Sequence, residues 1–119
     1  MEKKALWVVF RPKDPISLKK MREMYLGSYP HFKEMPSLYA KTWWVNEEKN
    51  EWGAMYIFNS QKELDAYTQS DRWKRIIPEK YGCTPETTVL DIGAILFKEK
   101  VTSGEDSWLT PDSSTADSQ

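Results

Sequence analysis

Residues 5–10 (A-L-W-V-V-F) are apolar without a break, with Lys3-Lys4 before them and Arg11-Pro12 after. An uninterrupted β-branched and aromatic run of this length predicts a strand covered on both faces. Asp14 before Pro15 predicts a helix start, an N-cap followed by a proline at the first helical position. Leu18, Met21, Tyr25 and Tyr29 then recur at three- and four-residue spacing, one apolar stripe on a helix. Gly27 and Pro30 predict its end or a kink, and residues 28–36 carry no clear pattern. Residues 38–45 (L-Y-A-K-T-W-W-V) and 52–58 (W-G-A-M-Y-I-F) predict two strands joined by the polar stretch 46–51. Gly53 within the second predicts a bulge or a close backbone approach. Ser60-x-x-Glu63 has the spacing of a capping box, opening a helix that carries Leu64 and Tyr67. Ser70-Asp71 starts a further short helix with Trp73, Ile76 and Ile77, closed by Pro78. Residues 87–97 predict the last strand.

The order is therefore β-α-β-β-α-β with an extra helical turn before the final strand. That is an α+β arrangement of the ferredoxin-like kind, a four-stranded antiparallel sheet with the helices on one face. Residues 1–100 form one domain. Residues 101–119 turn rich in Ser, Thr, Asp and Gly and predict a mobile polar tail, with Trp108-Leu109 as its one apolar contact. A sheet with one uncovered face ordinarily alternates apolar and polar positions. Here Leu6, Val8 and Phe10 oppose Trp7 and Val9, and Ala54, Tyr56 and Phe58 oppose Met55 and Ile57, all of them apolar. The second face therefore calls for cover, and a homodimer packed sheet to sheet around an aromatic-lined pocket is the expected solution. The extra helical segment or the tail is the competing cover, and the tail is too polar to serve.

Composition narrows the function classes. The 119 residues include 39% hydrophobic and 29% charged positions, ordinary for a globular domain. Aromatic content is 13%, with six Trp and six Tyr, which suits cores, interfaces and flat-ligand pockets alike. Net charge is −1, from 17 basic and 18 acidic residues without a basic block, which argues against nucleic-acid binding. No apolar run is long enough to span a bilayer and no signal-peptide pattern opens the chain, so no membrane partner is expected. A single cysteine, Cys83, points to a reducing compartment, and the expected location is the cytoplasm.

Lys41-Thr42-Trp43, the run Glu51 to Phe58 and Ala66-Tyr67 together resemble the YdhR-type mono-oxygenases of the dimeric α+β barrel superfamily. The core of that family reads K-x-W, G-G-x-Y-x-F/W, then A-x-Y, and the likeness spans about residues 36–97. Ala54 stands where the family often carries a second glycine. The resemblance implies a small homodimeric enzyme, a cofactor-independent mono-oxygenase acting on an aromatic or polyketide-like compound. The superfamily also holds cyclases, haem-degrading enzymes and members without known activity, so a cyclase or isomerase and a non-catalytic or stress-related ligand-binding module stand as alternatives.

The residues offer few chemical handles. One histidine and one cysteine cannot assemble a zinc site, so no metal is expected, and no phosphate loop or dinucleotide fingerprint is present. Haem would have only His31 as an axial ligand. His31 is the one side chain with an unperturbed pKa suited to proton transfer near neutrality. Tyr56 and Tyr67 fall on the family motif, and Arg72 can hold a carboxylate or enolate oxygen; these four are the candidate catalytic residues. Tyr25, Tyr29, Trp43, Trp44 and Trp73 are the candidate substrate-binding residues. Cys83 has no activating neighbour.

Overall fold

The computed structural model describes residues 2–98. The predicted tail at 101–119, with Trp108 and Leu109, lies outside the described residues. Four strands form: β1 (Lys4–Phe10), β2 (Leu38–Asn46), β3 (Glu51–Phe58) and β4 (Glu86–Asp91). The helices are α1 (Leu18–Lys33), α2 (Gln61–Thr68) and α3 (Ile77–Tyr81), with a π-helical turn at Arg72–Ile76 leading into α3. The sheet is antiparallel in the order β2-β3-β1-β4. This is the predicted ferredoxin-like α+β fold, a four-stranded antiparallel sheet with three helices.

Register decides what each face carries. Leu6, Val8 and Phe10 of β1 share a face with Trp52, Ala54, Tyr56 and Phe58 of β3, and Met21, Tyr25 and Phe32 of α1 pack on them. Leu64 and Tyr67 of α2 and Ile77 of α3 join the same core. Phe58, Leu6, Met21, Leu64 and Val8 are almost wholly withdrawn from solvent. Full burial of such side chains stabilises by about 1.5–3 kcal/mol each. The opposite face is only partly covered: Ala5 and Ile57 are buried there, but Trp7, stacked on Trp44 at 5.3 Å, and Leu90 stay 37% and 40% exposed. Because Ile77 of α3 joins the core on the helix side, the extra helical segment does not cover this face.

The two predicted cap spacings hold. Ser60 Oγ accepts from the Glu63 N–H at 3.2 Å while Glu63 Oε1 accepts from the Ser60 hydroxyl at 3.1 Å. Ser70 Oγ accepts from the Trp73 N–H at 3.3 Å. Gly53 is a close approach: a Cβ there would lie 1.9 Å from the Val8 carbonyl oxygen and 3.1 Å from the Trp44 ring.

Four local expectations change. The N-cap of α1 is Ser17, whose Oγ accepts from the Lys20 N–H at 3.1 Å, rather than Asp14. α1 also runs through Gly27 and Pro30 to Lys33. Pro30 returns no N–H to the preceding turn, but Phe32 beyond it is buried edge-on to Trp43 and Tyr56, and that contact holds the last turn. Pro78 does not close a helix; it sits in the first turn of α3, where a missing N–H costs little. The helix ends instead at Gly82, which adopts φ 75° and donates its N–H to the Pro78 carbonyl at 2.8 Å. Finally, β4 stops at Asp91, because Asp91 already pairs with Lys4, the first residue of β1. Beyond it residues 92–97 lack a ladder, and Phe97 meets Tyr39 of the far edge strand at 6.0 Å.

Candidate functional site

Between the sheet and the helices lies a cavity of about 90 Å³, partly open to solvent. Its walls come from β1, α1, β2, β3, the π-helical turn and α3 within one chain. In this chain the cavity lies on the helix-covered side of the sheet and is lined largely by aromatic side chains.

Lys41 and Trp43 are positioned by the two-residue period of β2. Lys41 pairs with Tyr56 and Trp43 with Ala54, so both point to the helix side. Trp44, one residue on, faces the other way and stacks on Trp7 outside the cavity. Of the other substrate-binding candidates, Tyr25 lines the cavity but its hydroxyl donates to the Trp44 carbonyl at 3.0 Å, also lying 3.4 Å from that of Gly53. Tyr29 packs half-buried on Trp43 at 6.3 Å. Trp73 packs behind the cavity wall against Tyr67 and Tyr56, at 5.4 and 6.2 Å.

Three of the four catalytic candidates converge. Tyr56 and Arg72 line the cavity, and the Tyr56 hydroxyl lies 3.4 Å from that of Tyr67. Burial pushes both phenols above the usual tyrosine value, so each is a neutral hydroxyl available as a hydrogen-bond donor at neutral pH. Arg72 hydrogen-bonds Tyr67, yet its Nε is a buried donor without an acceptor. The π-helical turn that carries Arg72 is a geometry often found at functional sites. His31 stands apart, exposed on the last turn of α1 and edge-on to Phe32 at 4.9 Å. Desolvation, then the nearby Arg72 and Lys41 charges, lower its pKa.

The residue missed by sequence reasoning is Lys41. Its Nζ sits 3.2 Å from the centre of the Phe32 ring, 4.2 Å from that of Tyr56 and 4.6 Å from that of Trp43. Desolvation first, and Arg72 second, press its pKa well below the usual lysine value. The signal was present in the alternation: Lys41 takes the same inward parity as Trp43 and Val45. Among the described residues no carboxylate lines the cavity, and no group of three His, Cys, Asp or Glu stands close enough to hold a metal. Cys83 is half-buried with its thiol pKa raised by desolvation, which keeps it protonated. Such a site can polarise an oxygen, donate protons from phenols and stabilise negative charge.

No helix among the described residues is long and apolar enough to cross a membrane. Three solved structures share the fold. A protein of unknown function from Nitrosomonas europaea superposes with TM-score 0.63 at 13% identity, over 83% of this chain and 97% of its own. A monooxygenase from the ActVA-Orf6 gene of Streptomyces coelicolor, in complex with nanaomycin D, has TM-score 0.59 at 13% identity over 82% and 93%. SnoaB from Streptomyces nogalater, a cofactor-independent oxygenase, has TM-score 0.59 at 9% identity over 81% and 98%. No curated protein matches the chain significantly. The family model described as "Putative mono-oxygenase ydhR" matches residues 6–80, from within β1 into α3, which takes in every residue lining the cavity except Tyr81. The chain belongs to the YdhR family of mono-oxygenase-like proteins.

Proposed function

We propose that this protein is a cofactor-independent mono-oxygenase-type enzyme acting on an aromatic, polyketide-like compound in the helix-covered cavity. The observation that carries the reading is that Arg72 and Tyr56 line one aromatic-walled cavity, with the Tyr67 hydroxyl 3.4 Å behind that of Tyr56, within the stretch that matches the family. Two structural neighbours named as oxygenases support the reaction class. The chemistry suits a substrate with an acidic methylene between two rings. Loss of a proton gives a carbanion, which passes its electrons to O₂ as a carbon–oxygen bond forms. The resulting hydroperoxide loses water as its O–O and C–H bonds break, so that R₂CH₂ and O₂ become R₂C=O and H₂O. The substrate supplies every electron. Arg72 stabilises the anionic oxygen, and the Tyr56–Tyr67 pair donates to it.

The working unit we propose is a homodimer formed by the open sheet face. The stacked Trp7 and Trp44, the half-buried Met55 and Val9, and Leu90 lie on this face, with Thr42, Thr88 and Glu86 as its polar positions. Leu96 and Phe97, 84% and 60% exposed, continue the apolar character past the end of β4.

Oxygen uptake with an anthrone tests the enzymatic reading. Protein should raise the rate well above buffer, and Arg72→Met should remove at least about 100-fold of that acceleration. An uptake rate equal to buffer across anthrones and related enolisable phenols contradicts it. One observation favours a second reading, a non-catalytic binding module for a small ligand. The cavity of about 90 Å³ is smaller than the ~150 Å³ apolar cavity that holds benzene. A cavity of this size, partly open to solvent, takes one end of a small ligand and not a whole polycyclic ring system.

A further inference from the structure

The cavity wall carries two basic side chains, Lys41 and Arg72, beside Lys80, and among the described residues no carboxylate lines it to match them. Lys41 Nζ forms no ion pair or hydrogen bond with a described residue and rests only against aromatic rings. Arg72 faces the same Phe32 ring, its Cζ 5.6 Å from the centroid, and its Nε lacks an acceptor. Trp52 lines the same cavity, and its indole N–H also lacks one. A protonated Lys41 beside Arg72, with no carboxylate among the described lining residues, is disfavoured by repulsion and burial, and the unmet Arg72 donor costs free energy. One anion bound between Lys41 and Arg72 relieves both.

We propose that the cavity is a receptor for the acidic end of an organic anion, a carboxylate or enolate oxygen seated between Lys41 and Arg72 with the flat body against Phe32, Trp43 and Tyr56. This deepens the reading above by assigning the substrate a negative charge, and it makes Lys41 the group that takes up the proton when an acid binds. Burial and Arg72 favour the neutral amine in the free protein; an anion beside it favours the ammonium. The sign follows: where Lys41 is neutral alone and charged in the complex, binding an anion takes up a proton. The other titratable groups around it are His31 from α1, Tyr25, Tyr56 and Tyr67, Arg72, and Lys80 and Tyr81 from α3. Of these His31 is the one with an ordinary pKa near neutrality, so it needs its own control.

Benzoate is the probe and benzamide its neutral counterpart. Calorimetry in buffers of different ionisation enthalpy, repeated across the neutral pH range, reads affinity and proton uptake together. Benzoate should bind at least about tenfold more tightly than benzamide, and its uptake should approach about one proton per chain at the most favourable pH. Lys41→Met should lose the preference and the uptake. It should stay folded, because an apolar side chain of similar length removes a desolvated amine. Lys41→Arg should keep the preference but take up no proton, and His31→Gln should behave as wild type. Equal affinity for the two probes, no binding of either, uptake that persists in Lys41→Met, or uptake lost in His31→Gln overturns the proposal. Oxygen plays no part in the measurement. A protein inert towards O₂ that binds benzoate in this way leaves the anion site standing, and one that consumes O₂ without charge preference leaves only the mono-oxygenase reading.

Discussion

Gly53→Ala is expected to destabilise the domain by more than about 4 kcal/mol, enough to leave much of it unfolded at room temperature. The added Cβ would sit 1.9 Å from the Val8 carbonyl oxygen, a backbone atom that no rotamer change can move. Relief requires β1 and β3 to separate where Val9 pairs with Gly53, in the middle of the sheet. The same shift would disturb the Gly53 and Trp44 carbonyls, on which the Tyr25 hydroxyl rests, and so loosen α1 from the sheet. Urea titration followed by tryptophan fluorescence measures the loss. A variant within about 1 kcal/mol of wild type would mean that β1 and β3 do not approach as described.

If the proposed homodimer forms, Trp7→Glu is expected to turn it into a monomer with the same secondary structure. Trp7 is 37% exposed in the single chain and packs on Trp44 rather than in the core, so folding tolerates the change. In the proposed interface it lies on a two-fold-related face, where each substitution buries two carboxylates without partners. Weakening of at least about 1,000-fold in the dimer dissociation constant follows, since a central aromatic anchor is lost and an unpaired charge is added. Sedimentation velocity at micromolar concentration separates the two species. Wild type should run at twice the 14.0 kDa chain mass and the variant at the chain mass. A wild-type monomer would mean that something other than a second copy covers the open face.

Much of the fold was legible because apolar pattern and register agree. β1 and β3 read as strands, and the capping spacings at Ser60 and Ser70 marked helix starts correctly. Stops were harder. Pro30 and Pro78 both look like terminators in one dimension, but Phe32 and Ile77 beyond or beside them are buried, and tertiary contact outweighs the lost hydrogen bond. The length of β4 depended on where its partner begins, which no pattern inside residues 87–97 records. At the site, the family motif and chemical type picked out Tyr56, Tyr67 and Arg72, which the fold brings close together, whereas strand parity would have separated Trp43 from Trp44 and drawn Lys41 inward. His31 stood out for its intrinsic pKa, yet the helix continues through Pro30 and leaves it on the outer surface.

A crystal structure with 4-iodobenzoate tests the central claim most directly, because anomalous scattering from iodine fixes the ligand's orientation. The carboxylate is expected between Lys41 and Arg72 on the helix side of the sheet, with the iodine towards the open side of the cavity. Iodobenzoate found only against Trp7 and Trp44, on the opposite face, would contradict the account.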